Sequence, residues 1–255
     1  MRPALLWNPR LLCERLAVAS VERRRLGRLR GTLAGGLSPG HIDSLELLDI
    51  AKRVGIEVIY DIGANVGTWT LLATSLIPEA ALEAFEPLPA HVEHFDKICG
   101  RLPGIRLHPV ALGSENGTAR LRVTNFSDSS SILPVAWAGH EQFGLKESGS
   151  VPVAIRRLDD YRAERVLALP DLIKLDVQGY ELEVLKGAPD CVAHSKAVLA
   201  EVSFIEYYER QCLFHDIVAF LAGFGLHCAA MGHSTPTGRP LGQTDVLFIR
   251  SGLLR

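Results

Sequence analysis

From Ile56 onward the chain alternates short apolar runs with stretches of helical periodicity. The apolar runs are Val58–Ile62, Ala81–Phe85, Ile105–Val110, Leu172–Leu175, Ala197–Val202, Leu226–Met231 and Val246–Ile249. Helical spacing fills Thr68–Ile77, Ala90–Cys99, Glu181–Lys186 and Cys212–Gly223. The apolar runs are continuous, as strands buried on both faces require. Strands alternating with helices predict βαβ units, hence an α/β fold with a mostly parallel sheet covered on both sides.

Two regions depart from this rhythm. Leu11–Leu29 shows loose helical spacing of apolar residues among Arg15, Arg23, Arg24, Arg25 and Arg28, with Glu14 and Glu22 as the only acids. Because arginine spreads around the helix, a solvated helix packed by one face on the body is favoured over an amphipathic segment for an anionic membrane or partner. Gly31–Gly40 reads as a break and His41–Val54 as a further helix. The chain therefore divides into a basic helical extension, residues 1–54, and a main domain, residues 55–255. Within the latter, the Ser- and Gly-rich residues 124–150 read as a long loop of the kind that covers active sites. A second loop is expected over Gly232–Gln243.

Composition narrows the function. The 27 Lys and Arg against 29 Asp and Glu leave no basic surplus, so a protein living on nucleic-acid backbone is not indicated. Five cysteines without a C-x-x-C pair speak against a disulfide framework or cysteine zinc site and for a reducing, cytoplasmic setting. No apolar run reaches the ~18 residues of a membrane helix, and no signal peptide is recognisable at the N-terminus.

The chemistry concentrates after the first strand, in Asp61-Ile-Gly-Ala-Asn-Val-Gly67. Glycines there let the backbone turn sharply and admit a ligand at the strand end, against a helix N-terminus. The turn is not G-x-G-x-x-G. A carboxylate at Asp61 repels pyrophosphate and attracts an ammonium group, which favours a nucleoside carrying an amino acid over a dinucleotide. In Phe85-Glu86-Pro87 an acid ends the next strand. It lies roughly 20 residues after the glycine turn, the offset at which ribose hydroxyls are held in nucleotide-binding α/β folds.

These two pieces together resemble the cofactor site of class I S-adenosylmethionine-dependent methyltransferases. The run from Ile173 to Gly187, with Leu158-Asp159-Asp160 before it and Thr244-Asp245-Val-Leu-Phe248 after it, is similar to the FkbM family of those enzymes. The resemblance covers about Gly55 to Ile249. It implies a Rossmann-like three-layer sandwich with a seven-stranded sheet whose last strand is antiparallel. It also implies S-adenosylmethionine as cofactor. Gly63, Asn65 and Gly67 then shape the methionine pocket, Asp61 lies near the methionine end, Glu86 holds the ribose, and Ala111, within Val110–Leu112, flanks the adenine. Gln178 departs from the family, which often has Glu at that position.

Methyl transfer to a hydroxyl needs a group to take its proton. Asp176, at the end of the fourth strand, is the first choice as base or positioning acid, and reads equally as a helix cap. Glu181 either orients the acceptor or is a first-turn acid favoured by the helix dipole. Glu201, a carboxylate in an apolar strand, requires a partner or a function. These three acids together would suit a divalent cation, but without distinctive ligand spacing no metal site is assigned. His91 and His94 read as a solvated face, and His140 and His233 as loop histidines facing the cleft. Trp137, Phe143, Tyr207 and Tyr208 are candidates to stack on an acceptor, or anchors of the loops. The expected acceptor is a small molecule or glycan: O-methylation of a sugar or secondary metabolite, with no nucleic-acid partner and any peripheral contact made through the basic N-terminus. A non-catalytic cofactor-binding module and an N-methyltransferase are the alternatives.

Overall fold

The computed structural model describes residues 9–126, 128–232 and 241–254. The first eight residues and His233 lie outside that set. Ten strands run in chain order: β1 (Val58–Ile62), β2 (Ala81–Phe85), β3 (Ile105–His108), β4 (Ala111–Leu112), β5 (Gly117–Thr124), β6 (Glu147–Arg156), β7 (Leu172–Leu175), β8 (Ala197–Ser203), β9 (Leu226–Met231) and β10 (Gln243–Arg250). The helices are α1 (Pro9–Leu29), α2 (Leu45–Ala51), α3 (Thr68–Leu76), α4 (Pro89–Cys99), α5 (Trp137–Phe143), α6 (Leu158–Arg165), α7 (Glu181–Lys186), α8 (Pro189–His194) and α9 (Phe214–Ala222).

Seven strands form one sheet in the order β3-β2-β1-β7-β8-β10-β9. All pairs are parallel except those of β10, which runs antiparallel to both β8 and β9. The central strands β1, β7 and β8 are buried along nearly their whole length, which is why they read as unbroken apolar runs. From β1 the chain steps outward to β2 and β3, then returns to β7 on the other edge of β1. The connections diverge at that point and open a crevice at the carboxyl ends of β1 and β7. The antiparallel course of β10 brings its first residues to that same edge.

One apolar cluster fills each side of the sheet. The N-terminal extension shares the first: Leu29, Ala34, Ile42, Leu45 and Leu48 pack with Ile59, Leu82 and Leu199. Arg25 is buried there, its Nη2 donating to the Ile42 carbonyl at 2.6 Å and to Glu46 Oε2 at 2.9 Å. The predicted helix over His41–Val54 is shorter, with α2 flanked by 3-10 turns at Pro39–His41 and Lys52–Val54.

The expected strand Ile105–Val110 is two strands. β3 stops at His108, Pro109 supplies no N–H to a ladder, and Ala111–Leu112 joins a second, three-stranded sheet of order β4-β6-β5. Residues 124–150 are likewise not loop throughout. They carry α5 and the first residues of β6, which pairs with β5 from Gly117↔Ile155 to Thr124↔Glu147. Both hairpin strands bury one face only, Ala119, Leu121 and Val123 packing with Val151, Val153 and Ile155, so neither leaves an unbroken apolar run in the sequence. Among the described residues no helix is long and apolar enough to cross a membrane.

Candidate active site

A cavity of about 840 Å³ occupies the crevice. At its floor β1 turns into α3 through Gly63, Asn65 and Gly67, all in the left-handed region with φ of 79°, 49° and 91°. Glycine is required here by protein neighbours. A Cβ on Gly63 would fall 1.9 Å from the Asp176 carbonyl oxygen, and one on Gly67 would fall 2.7 Å from Cys99 Sγ. The packing of β1 against the β7 turn and of α3 against α4 therefore requires both glycines, and Gly63 also lines the cavity. Asn65 lines the cavity, and its backbone N–H donates to Glu86 Oε2 at 3.0 Å. The Leu88 N–H donates to Glu86 Oε1 at 2.8 Å. Glu86 is thus held rigidly at the end of β2, in the cavity wall. Ala111 lies nearby, between Val110 and Leu112, on an apolar stretch of the same wall.

Asp61 is placed otherwise than expected. It is fully buried beneath the turn and does not line the cavity. Thr70 Oγ1 donates to its Oδ2 at 2.6 Å, and Lys174 Nζ stands 3.1 Å from its Oδ1. With its charge already met by a lysine, Asp61 is not the attractor for a ligand ammonium that the sequence reading made it. Lys174 also donates to the Gly63 carbonyl at 2.9 Å and stands 3.7 Å from Asp176 Oδ2. Burial would push its ammonium down, but Asp61 and Asp176 more than reverse that and push it up. A lysine inside Ile173-Lys-Leu175 was the legible signal for this arrangement, since an unpaired charge is not tolerated in a buried strand.

Three strand ends bring carboxylates to the other side of the cavity. Asp176 follows β7, Glu201 belongs to β8, and Asp245 lies directly opposite Glu201 in the β8–β10 register. Like charges in facing positions repel, so this pairing is not there for sheet stability. Desolvation, then Asp176, Asp245 and Glu181, push the Glu201 carboxyl well above the ordinary range, against the opposing charge of Lys174. Asp245 is pushed up by desolvation as well, though it accepts a hydrogen bond from Ser44 Oγ at 2.7 Å. Asp176 accepts from Gln178 Nε2 at 2.8 Å and makes no cap to α7. Glu181 instead ties down the turn ahead of α7: its Oε1 accepts from the Val177 and Gly179 N–H groups at 3.0 and 3.1 Å. Glu181 is buried behind the turn and is not brought to the cavity wall. Among the described residues no group of three His, Cys, Asp or Glu side chains is placed to hold a metal ion.

The remaining wall comes from the N-terminal extension, which the sequence does not tie to the site, and from the expected covering loop and the tyrosines after β8. Residues 40, 41, 43 and 44 of the extension line the cavity, as do Phe126, Ser129, Ser130, Phe143, Tyr207 and Tyr208. Trp137 is exposed and His140 is turned to the Leu145 carbonyl, so neither belongs to the wall. His91, expected on a solvated face, is buried in the wall with Nδ1 3.5 Å from Glu86 Oε1.

The family model of the methyltransferase FkbM domain matches residues 61–229, from the end of β1 into β9. The chain belongs to the FkbM methyltransferase family. Among its relatives is the 2-O-methyltransferase NoeI of Sinorhizobium fredii, 32% identical over 66% of this chain and 72% of that protein. The hexuronic acid methyltransferase AglP of Haloferax volcanii is 26% identical over 64% of this chain and 62% of its own. The 31-O-demethyl-FK506 methyltransferase FkbM of Streptomyces tacrolimicus is 28% identical over 68% and 74%, respectively. The matched part of this FkbM methyltransferase spans between 62 and 74% of those relatives' lengths.

Proposed function

We propose that this chain transfers a methyl group from S-adenosylmethionine to a hydroxyl of a sugar or sugar-bearing metabolite. The observation that carries the reading is the gathering of Asp176, Glu201 and Asp245 around one cavity, opposite the glycine turn and Glu86. The residues present fit the cofactor. Glu86 has both oxygens fixed by backbone N–H groups and keeps lone pairs for ribose hydroxyls. Val110, Ala111 and Leu112 offer an apolar flank for a base, and the start of α3 favours a carboxylate tail. The indole N–H of Trp69, in the same wall, is buried with no partner and is a donor awaiting an acceptor. Nearby carboxylates suit a positive sulfur.

When bound, the cofactor supplies a methyl group on a sulfonium, already electrophilic. The chain's own residues must then bind the acceptor, remove water and take one proton. Phe126, Phe143, Tyr207 and Tyr208 enclose the acceptor side and lower its water content. Asp176 accepts the hydroxyl's hydrogen bond and orients it. Glu201, its basicity raised by its neighbours, is suited to take the proton near neutral pH. Two relatives named for oxygen acceptors and one named for hexuronic acid support a hydroxyl-bearing, sugar-like acceptor. The N-terminal extension is part of this unit through residues 40 to 44, while Arg23, Arg24 and Arg30 keep an exposed basic face for an anionic partner.

The test is a screen of sugars, nucleotide sugars and glycan fragments with methyl-labelled S-adenosylmethionine. Label is expected on a hydroxyl oxygen of a sugar, with Asp176→Asn lowering the rate roughly 100-fold or more. Label found only on nitrogen, or an unchanged rate in Asp176→Asn, would contradict the reading.

A further inference from the structure

We propose that Gln178 is a positioning residue of this site: its carboxamide holds Asp176 and Glu201 side by side and makes their placement depend on the loop above them. The inference rests on the methyl-transfer reading for its purpose, but its geometry is independent of that reading. Nε2 of Gln178 donates to Asp176 Oδ1 at 2.8 Å and to Glu201 Oε2 at 3.1 Å. A carboxamide nitrogen has two protons, so each carboxylate receives one. Oε1 accepts from the Tyr208 hydroxyl at 2.9 Å. The flipped amide would turn its oxygen toward two carboxylates, so the surroundings permit one orientation.

The backbone of Gln178 is equally constrained. Its φ is 54°, a conformation that side-chain-bearing residues seldom adopt. Ser131 Oγ donates to its carbonyl at 2.7 Å, and the single Tyr208 hydroxyl proton is shared between Gln178 Oε1 and the Ser129 carbonyl, 2.8 Å away. Ser129, Ser131, Tyr208 and Gln178 thus form one hydrogen-bonded network that runs from the loop to the two acids. Strained residues held by their surroundings in this way concentrate where geometry matters for function. Lifting residues 129–131 would remove the loop's hold on the Gln178 carbonyl and on Tyr208, and so loosen the carboxamide that joins the two carboxylates.

The carboxamide also decides how many negative charges share the space. Glu201 faces Asp176, Asp245 and Glu181 as acids, Lys174 as a cation, and Tyr207 and Tyr208 as phenols. Gln243 Nε2 gives it a further hydrogen bond at 3.3 Å. A neutral donor between two carboxylates stabilises their charged forms. Removing the donor, or replacing it with another acid, makes the cluster hold its proton to higher pH.

The test follows that proton in the full chain, without cofactor or acceptor. The infrared carbonyl band of protonated carboxyl groups is titrated between about pH 4 and pH 9 and assigned by its loss in Glu201→Gln. In Gln178→Met, which keeps the length but has no N–H donor, the midpoint is expected to rise by about one pH unit, and in Gln178→Glu by more. Tyr208→Phe, which frees the amide and leaves both acids in place, is expected to give a smaller rise in the same direction. It also serves if a Gln178 variant does not fold. A midpoint that stays at the wild-type value in these variants overturns the proposal. Because the titration needs no methyl acceptor, that result would count against Gln178 alone, whereas failure of the methyl-transfer screen would count against the reading of the site.

Discussion

Two sets of buried carboxylates in this molecule are treated in opposite ways. Glu83 and Asp171 belong to the body. Burial pushes each up, but hydrogen bonds more than offset it: His108 and Arg106 for Glu83, and Lys196 with the Glu57 and Val58 N–H groups for Asp171. Both carboxyls end below the ordinary range. Glu201 and Asp245 belong to the cavity, face each other across two strands, and end above it. A protein that satisfies its acids so thoroughly at one edge of the sheet leaves them mutually repelling at another only where the repulsion is put to use. Lys174 stands between the two regimes, neutralising Asp61 beneath the turn and reaching toward Asp176 above it.

The strongest way to break this contrast is to remove Lys174. Lys174→Met leaves Asp61 buried and uncompensated, and a loss of about 3–5 kcal/mol is expected in urea unfolding. Adding Asp61→Asn should restore more than half of it, because the stranded charge is then gone. If the double variant is no better than the single one, the lysine acts through packing and not through Asp61.

Glu83→Gln should cost about 2 kcal/mol, since it breaks charge-assisted hydrogen bonds to His108 and Arg106. The pH dependence has a defined sign. Glu83 and Asp171 are lowered in the folded state, so they contribute stability above the unfolded carboxylate pKa of about 4, lost as the pH falls through their still lower folded values. Glu83→Gln should therefore flatten part of the acid limb of a stability–pH curve.

The smallest effect has the opposite direction. Glu201 is raised, so its stabilising contribution is complete below about pH 4 and is lost as the pH rises through its folded value. Glu201→Gln removes that loss, and a gain of about 1 kcal/mol at pH 8 is expected together with slower methyl transfer. A variant that is both less stable and fully active would erase the distinction between the two sets.

The parallel sheet was legible because burial on both faces writes itself as unbroken apolar runs. Val58–Ile62, Ala81–Phe85 and Leu172–Leu175 match β1, β2 and β7 residue for residue. The hairpin β5–β6 was not, because it is buried on one face only: Ala119, Leu121 and Val123, like Val151, Val153 and Ile155, alternate with more open positions and form no unbroken run. In the site, Glu86, Asp176 and Glu201 were found as acids at or near strand ends, a signal local to each strand. Asp245 stood within a motif already quoted, but its partnership with Glu201 depends on the register of an antiparallel pair that no local pattern encodes. The burial of Asp61 depends on Lys174, more than 100 residues away, and the turning inward of Glu181 on a backbone turn, Val177 to Gly179, that no residue pattern announces. The role of residues 40 to 44 depends on the packing of Arg25 and Leu29 against the body.

The central claim is that one half of the cavity holds the cofactor while the other half activates the acceptor. Calorimetry with S-adenosylhomocysteine tests it most directly, using Glu86→Ala against Asp176→Asn. The account predicts that Glu86→Ala weakens binding at least about tenfold, as loss of a charge-assisted contact should, while Asp176→Asn changes it by less than about threefold. Equal binding by wild type and Glu86→Ala, or loss of binding in Asp176→Asn alone, would contradict it.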